Sequence, residues 1–180
     1  MLKSFRSPRE EIARGETMIT LLGIGNTLLK DEGLGVHFIR WFQQRHDFGT
    51  KVNIVDGGTL GFLLLDLICQ SERLLVVDAL QVDEEPGSLF RFTLKDVPPE
   101  FHSQGTVHDI TFFQVMLNAE MMNKAPQESV IVGVVPEDIK SVGTFVTPTV
   151  ERTFPAIELQ VLKELQRWGI SGGAKKVLNS

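Results

Sequence analysis

The chain has a single cysteine, Cys69, so no internal disulfide can form. Cys69 follows the apolar run 62–68 and reads as a small buried hydrophobe rather than a nucleophile. Positive charge is also scarce: 18 Lys and Arg stand against 23 Asp and Glu, for a net charge of −5. That balance excludes binding along a nucleic-acid backbone, which needs clustered basic residues. No apolar stretch approaches the roughly 20 residues needed to cross a bilayer. The N-terminal residues are charged throughout and lack the apolar core of a secretory signal, so a cytoplasmic protein with no membrane insertion is expected. Three catalytic signatures are missing as well. There is no Gly-x-Ser-x-Gly elbow, no His-Glu-x-x-His pair and no Gly-Lys-Ser/Thr phosphate loop.

At 180 residues and 42% hydrophobic content, the chain is long enough for one domain with a full core. Residues 1–17 read as a polar extension, 18–169 as a single domain and 170–180 as a flexible, basic tail. The run 18–24 is continuously apolar and closes on glycine, as a buried parallel strand does. Residues 31–45 form a predicted helix with acids in its first turn and Val36, Ile39 and Phe42 on one face. A strand at 51–55, a helix at 60–70 and a strand at 73–77 complete a β-α-β-α-β series. This order predicts an α/β fold with a mostly parallel sheet covered on both faces. After the Pro86-Gly87 turn, residues 88–94 alternate as a strand, expected to be antiparallel or at an edge. A polar loop at 97–106 leads to an apolar helix at 110–122 and a last strand at 129–135. Thr147-Pro148 has the pattern of an N-cap followed by proline at the first helical position. Val150, Phe154, Ile157, Val161 and Leu165 then recur at helical spacing, with Pro155 expected to kink the helix.

Against this frame Glu32, Asp78 and His108 draw attention. Each is placed where an α/β sheet presents residues beyond the carboxyl ends of its strands. Two carboxylates and an imidazole suit a borderline divalent ion such as zinc or nickel. Each also has a purely structural reading. Glu32 can complement a helix dipole, Asp78 can accept loop amides, and His108 can cap the helix beginning at Asp109. Asp31 reads as a cap, Asp56 before Gly57-Gly58-Thr59 as a turn former, and His37 and His46 as surface residues. His102, in the same loop, competes with His108 as a ligand.

Gly23-x-Gly25 after a strand, with Asp56 ending the next, raises a rival reading as a nucleotide-dependent enzyme. Leu28 occupies the place of the third glycine in that fingerprint. Asp31 and Glu32 also sit where a pyrophosphate would bind, and they would attract a cation instead.

The segment from Gly23 to Gly35, Gly-Ile-Gly-Asn-Thr-Leu-Leu-Lys-Asp-Glu-Gly-Leu-Gly, resembles the opening motif of the nickel–iron hydrogenase maturation endopeptidases. Asp56-Gly57-Gly58-Thr59-Leu60-Gly61 is similar to that family's second motif, and Val77-Asp78-Ala79 and His108 to its third and fourth. Gly133-Val134-Val135-Pro136-Glu137 and Thr147-Pro148-Thr149-Val150 correspond to its late strand and C-terminal helix. The resemblance implies a three-layer α/β/α sandwich around a five-stranded, mostly parallel twisted sheet. It also implies an endopeptidase that removes the C-terminal extension of the hydrogenase large-subunit precursor after nickel insertion. Glu32, Asp78 and His108 are then the metal-binding trio, reading nickel carried by the precursor or holding another divalent ion such as zinc. Asp56 and Asp78 are the candidate catalytic carboxylates. Both metal-dependent and aspartic-type mechanisms remain open at this level. A non-catalytic nickel-binding assembly chaperone on the same fold is the third alternative.

Overall fold

A computed structural model of the chain describes residues 18–96 and 107–175, with residues 94 and 107–111 described by their backbone alone. The N-terminal extension, the loop with His102 and residues 176–180 lie outside the described residues. Five strands form one sheet: β1 (Ile19–Ile24), β2 (Val52–Gly58), β3 (Arg73–Ala79), β4 (Leu89–Thr93) and β5 (Glu128–Val134). Their spatial order is β2-β1-β3-β5-β4. All neighbours are parallel except β4, which pairs antiparallel with β5 at one edge. The short connection from β3 to β4 forces this, because a parallel return needs a crossover of a dozen or more residues.

The helices are α1 (Leu34–Arg45), α2 (Leu65–Gln70), α3 (Val107–Met121), α4 (Pro148–Glu151) and α5 (Phe154–Arg167). Strand alternation sorts the core into two halves. Ile19, Leu21, Leu75 and Val77 meet Phe38, Ile39 and Phe42 of α1 and Ile157, Val161 and Leu165 of α5. Leu22, Leu74, Val76 and Ile131 meet Ile68 of α2 and Phe112, Val115 and Met116 of α3. The result is the expected three-layer sandwich, with two helical layers on one sheet. Each fully buried Leu, Ile or Phe contributes about 1.5–3 kcal/mol, so the central strands dominate the stability. Among the described residues, no helix is long and apolar enough to cross a membrane.

Several boundaries differ from the sequence reading for physical reasons. The predicted helix at 31–45 is divided into a 3-10 turn, Lys30–Gly33, and α1. The 60–70 helix likewise begins as a 3-10 turn, Gly61–Leu64. β3 runs two residues further than predicted, so Asp78 belongs to the strand itself. α3 starts at Val107, which puts His108 inside the helix rather than before it. Thr147 caps α4 as expected, its side chain accepting from Val150 N, with proline at the start. Pro155 does not kink a continuous helix; it sits in the first turn of the separate α5, where its missing N–H is harmless.

One expectation about the periphery is corrected. His46 is not a surface residue: it is 8% exposed, stacks on Phe42 and meets Glu158 at 2.6 Å. Residues 173–175, at the start of the expected tail, run beside the end of α1. Asp47 N donates to Gly173 O and Lys175 N to Arg45 O, forming a short antiparallel strap.

Candidate active site at the carboxyl edge of the sheet

Glu32 stands in the 3-10 turn between β1 and α1 and is 8% exposed. The turn packs against β3, at whose carboxyl end Asp78 is equally buried. Two glycines allow this close approach. A Cβ on Gly25 would lie 1.8 Å from the Glu32 carbonyl oxygen, and Gly25 has a φ of +130°. A Cβ on Gly35 would lie 2.1 Å from Val77 O and 2.4 Å from Ile24 O. The opening motif therefore lets the acid-bearing turn and the start of α1 sit directly on the ends of β1 and β3.

Asp31, next to Glu32, is more than a helix cap. It is fully buried and accepts four hydrogen bonds from the loop that follows β5. Oδ2 takes Glu137 N, Asp138 N and Thr147 Oγ1, each at 2.9 Å, and Oδ1 takes Thr147 N at 2.6 Å. Lys30 adds an ion pair to Asp138 at 2.7 Å. Lys30, followed by the hydrogen bonds from Ser141, holds the Asp138 carboxyl well below the usual carboxylate range. Sequence spacing gave no sign of this knot, because its partners lie more than a hundred residues away.

Asp78 continues the alternation of Leu74 and Val76, so it faces the layer built by α2 and α3; Oδ1 accepts its neighbour Ala79 N at 2.8 Å. α3 packs on α2 and on the Gly61–Leu64 turn. The backbone of His108 lies in the first turn of α3, while its side chain and the whole of His102 fall outside the described residues. Glu32 and Asp78 are thus brought to one edge, with the helix carrying His108 in the layer that Asp78 faces. Among the described residues, no three His, Cys, Asp or Glu side chains form a metal-holding group.

Asp56 is placed differently. It aligns with Gly23 in the sheet register and meets Arg40 of α1 through Oδ2, at 2.9 Å from Nη2 and 3.2 Å from Nε. It therefore lies on the α1 face, opposite the face of Asp78. His37 belongs to the same neighbourhood. Burial pushes its imidazole below the ordinary value and the Arg40 guanidinium adds to this, while Asp56 opposes both.

An open cavity of about 450 Å³ lies between the loops after β3 and β5, lined by Gln81, Val82, Asp83, Val135, Pro136 and Ile139. Nearby Glu84 and Glu85 are exposed and extend the acidic edge.

Known proteins are similar to this chain in sequence and fold. A family model described as hydrogenase maturation protease matches residues 36–164. The hydrogenase expression/formation protein HupD of Bradyrhizobium diazoefficiens is 35% identical over 161 residues, spanning 87% of this chain and 82% of the relative. The hydrogenase 2 maturation protease of Escherichia coli K12 is 32% identical over 164 residues, spanning 89% and 98%. The solved hydrogenase maturating endopeptidase HybD from Escherichia coli superimposes with a TM-score of 0.83 at 30% identity, covering 88% of this chain and 98% of that one. With its sheet order, its glycine-cradled acidic turn and the matched core of its length, the chain belongs to the hydrogenase maturation protease family.

Proposed function

We propose that this protein is the endopeptidase that removes the C-terminal extension from the precursor of a nickel–iron hydrogenase large subunit after nickel insertion. The observation that carries this reading is the placement of two nearly buried acids, Glu32 and Asp78, at the carboxyl edge of a fold belonging to that protease family. Two carboxylates and an imidazole suit a borderline divalent ion. A nickel ion carried by the precursor is the cation that draws the scissile segment into the site. His108, at the start of α3, is proposed as the third ligand.

The mechanism follows from the placement of the acids. Asp56 and Asp78 face opposite layers, so they do not make a carboxylate pair sharing one proton across a common water. We therefore favour a reading in which Glu32, Asp78 and His108 engage the metal and Asp78 helps orient the attacking water. Asp56, held by Arg40, acts at a distance by fixing the Gly57-Gly58 turn, whose Gly58 O accepts Gly25 N at 3.0 Å. A divalent ion resident at the trio, zinc included, would instead polarise the scissile carbonyl. A cytoplasmic setting is part of the proposal.

The test is co-expression with a nickel–iron hydrogenase large-subunit precursor, followed by intact-mass measurement. A precursor shortened at its C-terminus only when the wild-type enzyme is present is the expected result. A precursor bound but never shortened would favour a nickel-binding chaperone instead.

A further inference from the structure

Six large apolar side chains are exposed on three loops around the acidic edge. Leu60, Phe62 and Leu63 lie in the turn after β2; Leu63 is 77% exposed. Leu28 precedes the acidic turn, and Val142 and Phe145, 84% and 75% exposed, lie in the loop after β5. Single exposed apolar residues are ordinary, but clusters around a polar site mark recognition surfaces.

These loops are fixed rather than loose. Asn26 Oδ1 accepts Leu28 N at 3.0 Å, closing an Asx turn that holds Leu28 outward. Leu28 O accepts Gly143 N and Gly143 O accepts Lys30 N, each at 3.0 Å, so Leu28 and Val142 are presented side by side. Leu60 N donates to Gly57 O and Leu63 N to Leu60 O, locking the other group. Gly25 N, bonded to Gly58 O, joins the two sides. The Gly61–Leu64 turn also packs on α3, the helix that carries His108. One apolar lobe thus adjoins the Glu32 turn and the other adjoins α3.

We propose that these two lobes are the docking surface for the stretch of precursor flanking the cleaved bond, and that they set specificity for apolar residues on both sides of a positively charged centre. The inference rests on the peptidase reading above and goes further by naming the residues that grip the substrate and its chemistry. Charge complementarity supplies the occupant: the acids follow β1 (Glu32) and β3 (Asp78, then exposed Asp83, Glu84 and Glu85), and in the sheet order these two strands lie between β2 and β5, whose following loops carry Leu60, Phe62 and Leu63 and Val142 and Phe145. An apolar segment with a cationic centre matches apolar–acidic–apolar order. Because the loops are already ordered, docking loses little conformational freedom on the enzyme's side.

The experiment is steady-state processing of purified, nickel-loaded precursor by wild type, the double variant Phe62→Ser/Leu63→Ser and the double variant Val142→Ser/Phe145→Ser. Each double exchange is expected to raise KM about tenfold, the loss of contact from one or two large apolar side chains, with kcat within about twofold. Leu159→Ser, at an exposed position of α5, should leave both constants unchanged, and Phe62→Leu/Leu63→Met should restore the wild-type KM. If a serine pair lowers Tm, Leu63→Lys carries the same test from a solvent-facing position. Wild-type enzyme that leaves the precursor intact overturns the peptidase reading itself. Wild-type cleavage with KM unchanged in the lobe variants overturns the docking surface alone. So would wild-type dimers that the serine variants dissolve without any change in KM, which would assign the lobes to a second copy of the chain.

Discussion

Asp56 and Asp78 lie near the carboxyl ends of the two strands that flank β1, yet they face opposite layers of the sheet. Asp56 is turned to Arg40 of α1, and Asp78 follows Leu74 and Val76 toward α2 and α3. Only one of the two can share a pocket with the layer containing His108. Asp78→Asn should therefore reduce kcat/KM for precursor processing by at least a hundredfold, and Asp56→Asn by about tenfold or less. Sites without shared partners contribute independently, so the double variant should show the product of the two effects. A double variant no worse than Asp78→Asn alone, measured with purified precursor, would reveal a coupled carboxylate pair.

The metal trio makes a second expectation. His108→Ala should weaken nickel-dependent processing far more than His102→Ala, and Glu32→Gln should relax discrimination between nickel-loaded and nickel-free precursor by reducing local negative charge. Parallel assays of both precursor forms by wild type and variants, with chelator controls, check this. Equal effects of the two histidine exchanges would reassign the ligand.

Asp31 predicts a stability effect rather than a chemical one. Asp31→Ala would leave three backbone N–H groups and the Thr147 hydroxyl without their acceptor in a part-buried loop junction. Buried donors without partners cost about 1–3 kcal/mol each when water cannot replace the lost bond. With partial relaxation, the expected destabilisation is about 3 kcal/mol in urea unfolding, together with loss of processing. A change below about 1 kcal/mol would mean that the loop finds other partners.

Glu164 on α5 governs an acid-dependent term. Burial alone would raise its carboxyl, but hydrogen bonds from Arg91 and Arg167 outweigh that and hold it below the ordinary value of 4.5. Glu128, chiefly through its hydrogen bond from Arg167, is lowered as well. A lowered folded-state value means the folded form binds fewer protons than the unfolded one as pH falls. The stabilisation is thus present above pH 4.5 and is lost as pH falls through the depressed values. Arg91→Met should lower Tm at pH 7 and flatten its decline in acid. Parallel Tm-versus-pH curves for the two proteins would show that Arg91 contributes nothing to the coupling.

The sequence made the main layers legible because their signals are local. Continuous apolar runs identified β1, β3 and β5, and Thr147-Pro148 marked the start of α4 through its own side chain. Glu32 and Asp78 were legible as edge residues because each adjoins such a run. The opposition of Asp56 and Asp78 was hidden, since strand parity depends on register between β2, β1 and β3. The burial of His46 and Glu164 was hidden for a related reason: their partners, Glu158 and Arg91, come from distant elements. Asp31 looked like a first-turn acid because a short-range pattern cannot reveal acceptors for residues 137, 138 and 147.

The long reach of the Asp31 knot has a consequence for biogenesis. Its partners lie 106 to 116 residues downstream, so during synthesis the buried Asp31 carboxylate lacks its full set of donors until Thr147 has emerged from the ribosome. Contacts of such separation form late and slowly. The acidic turn thus takes its last support only once the loop after β5 has been made and folded back onto it.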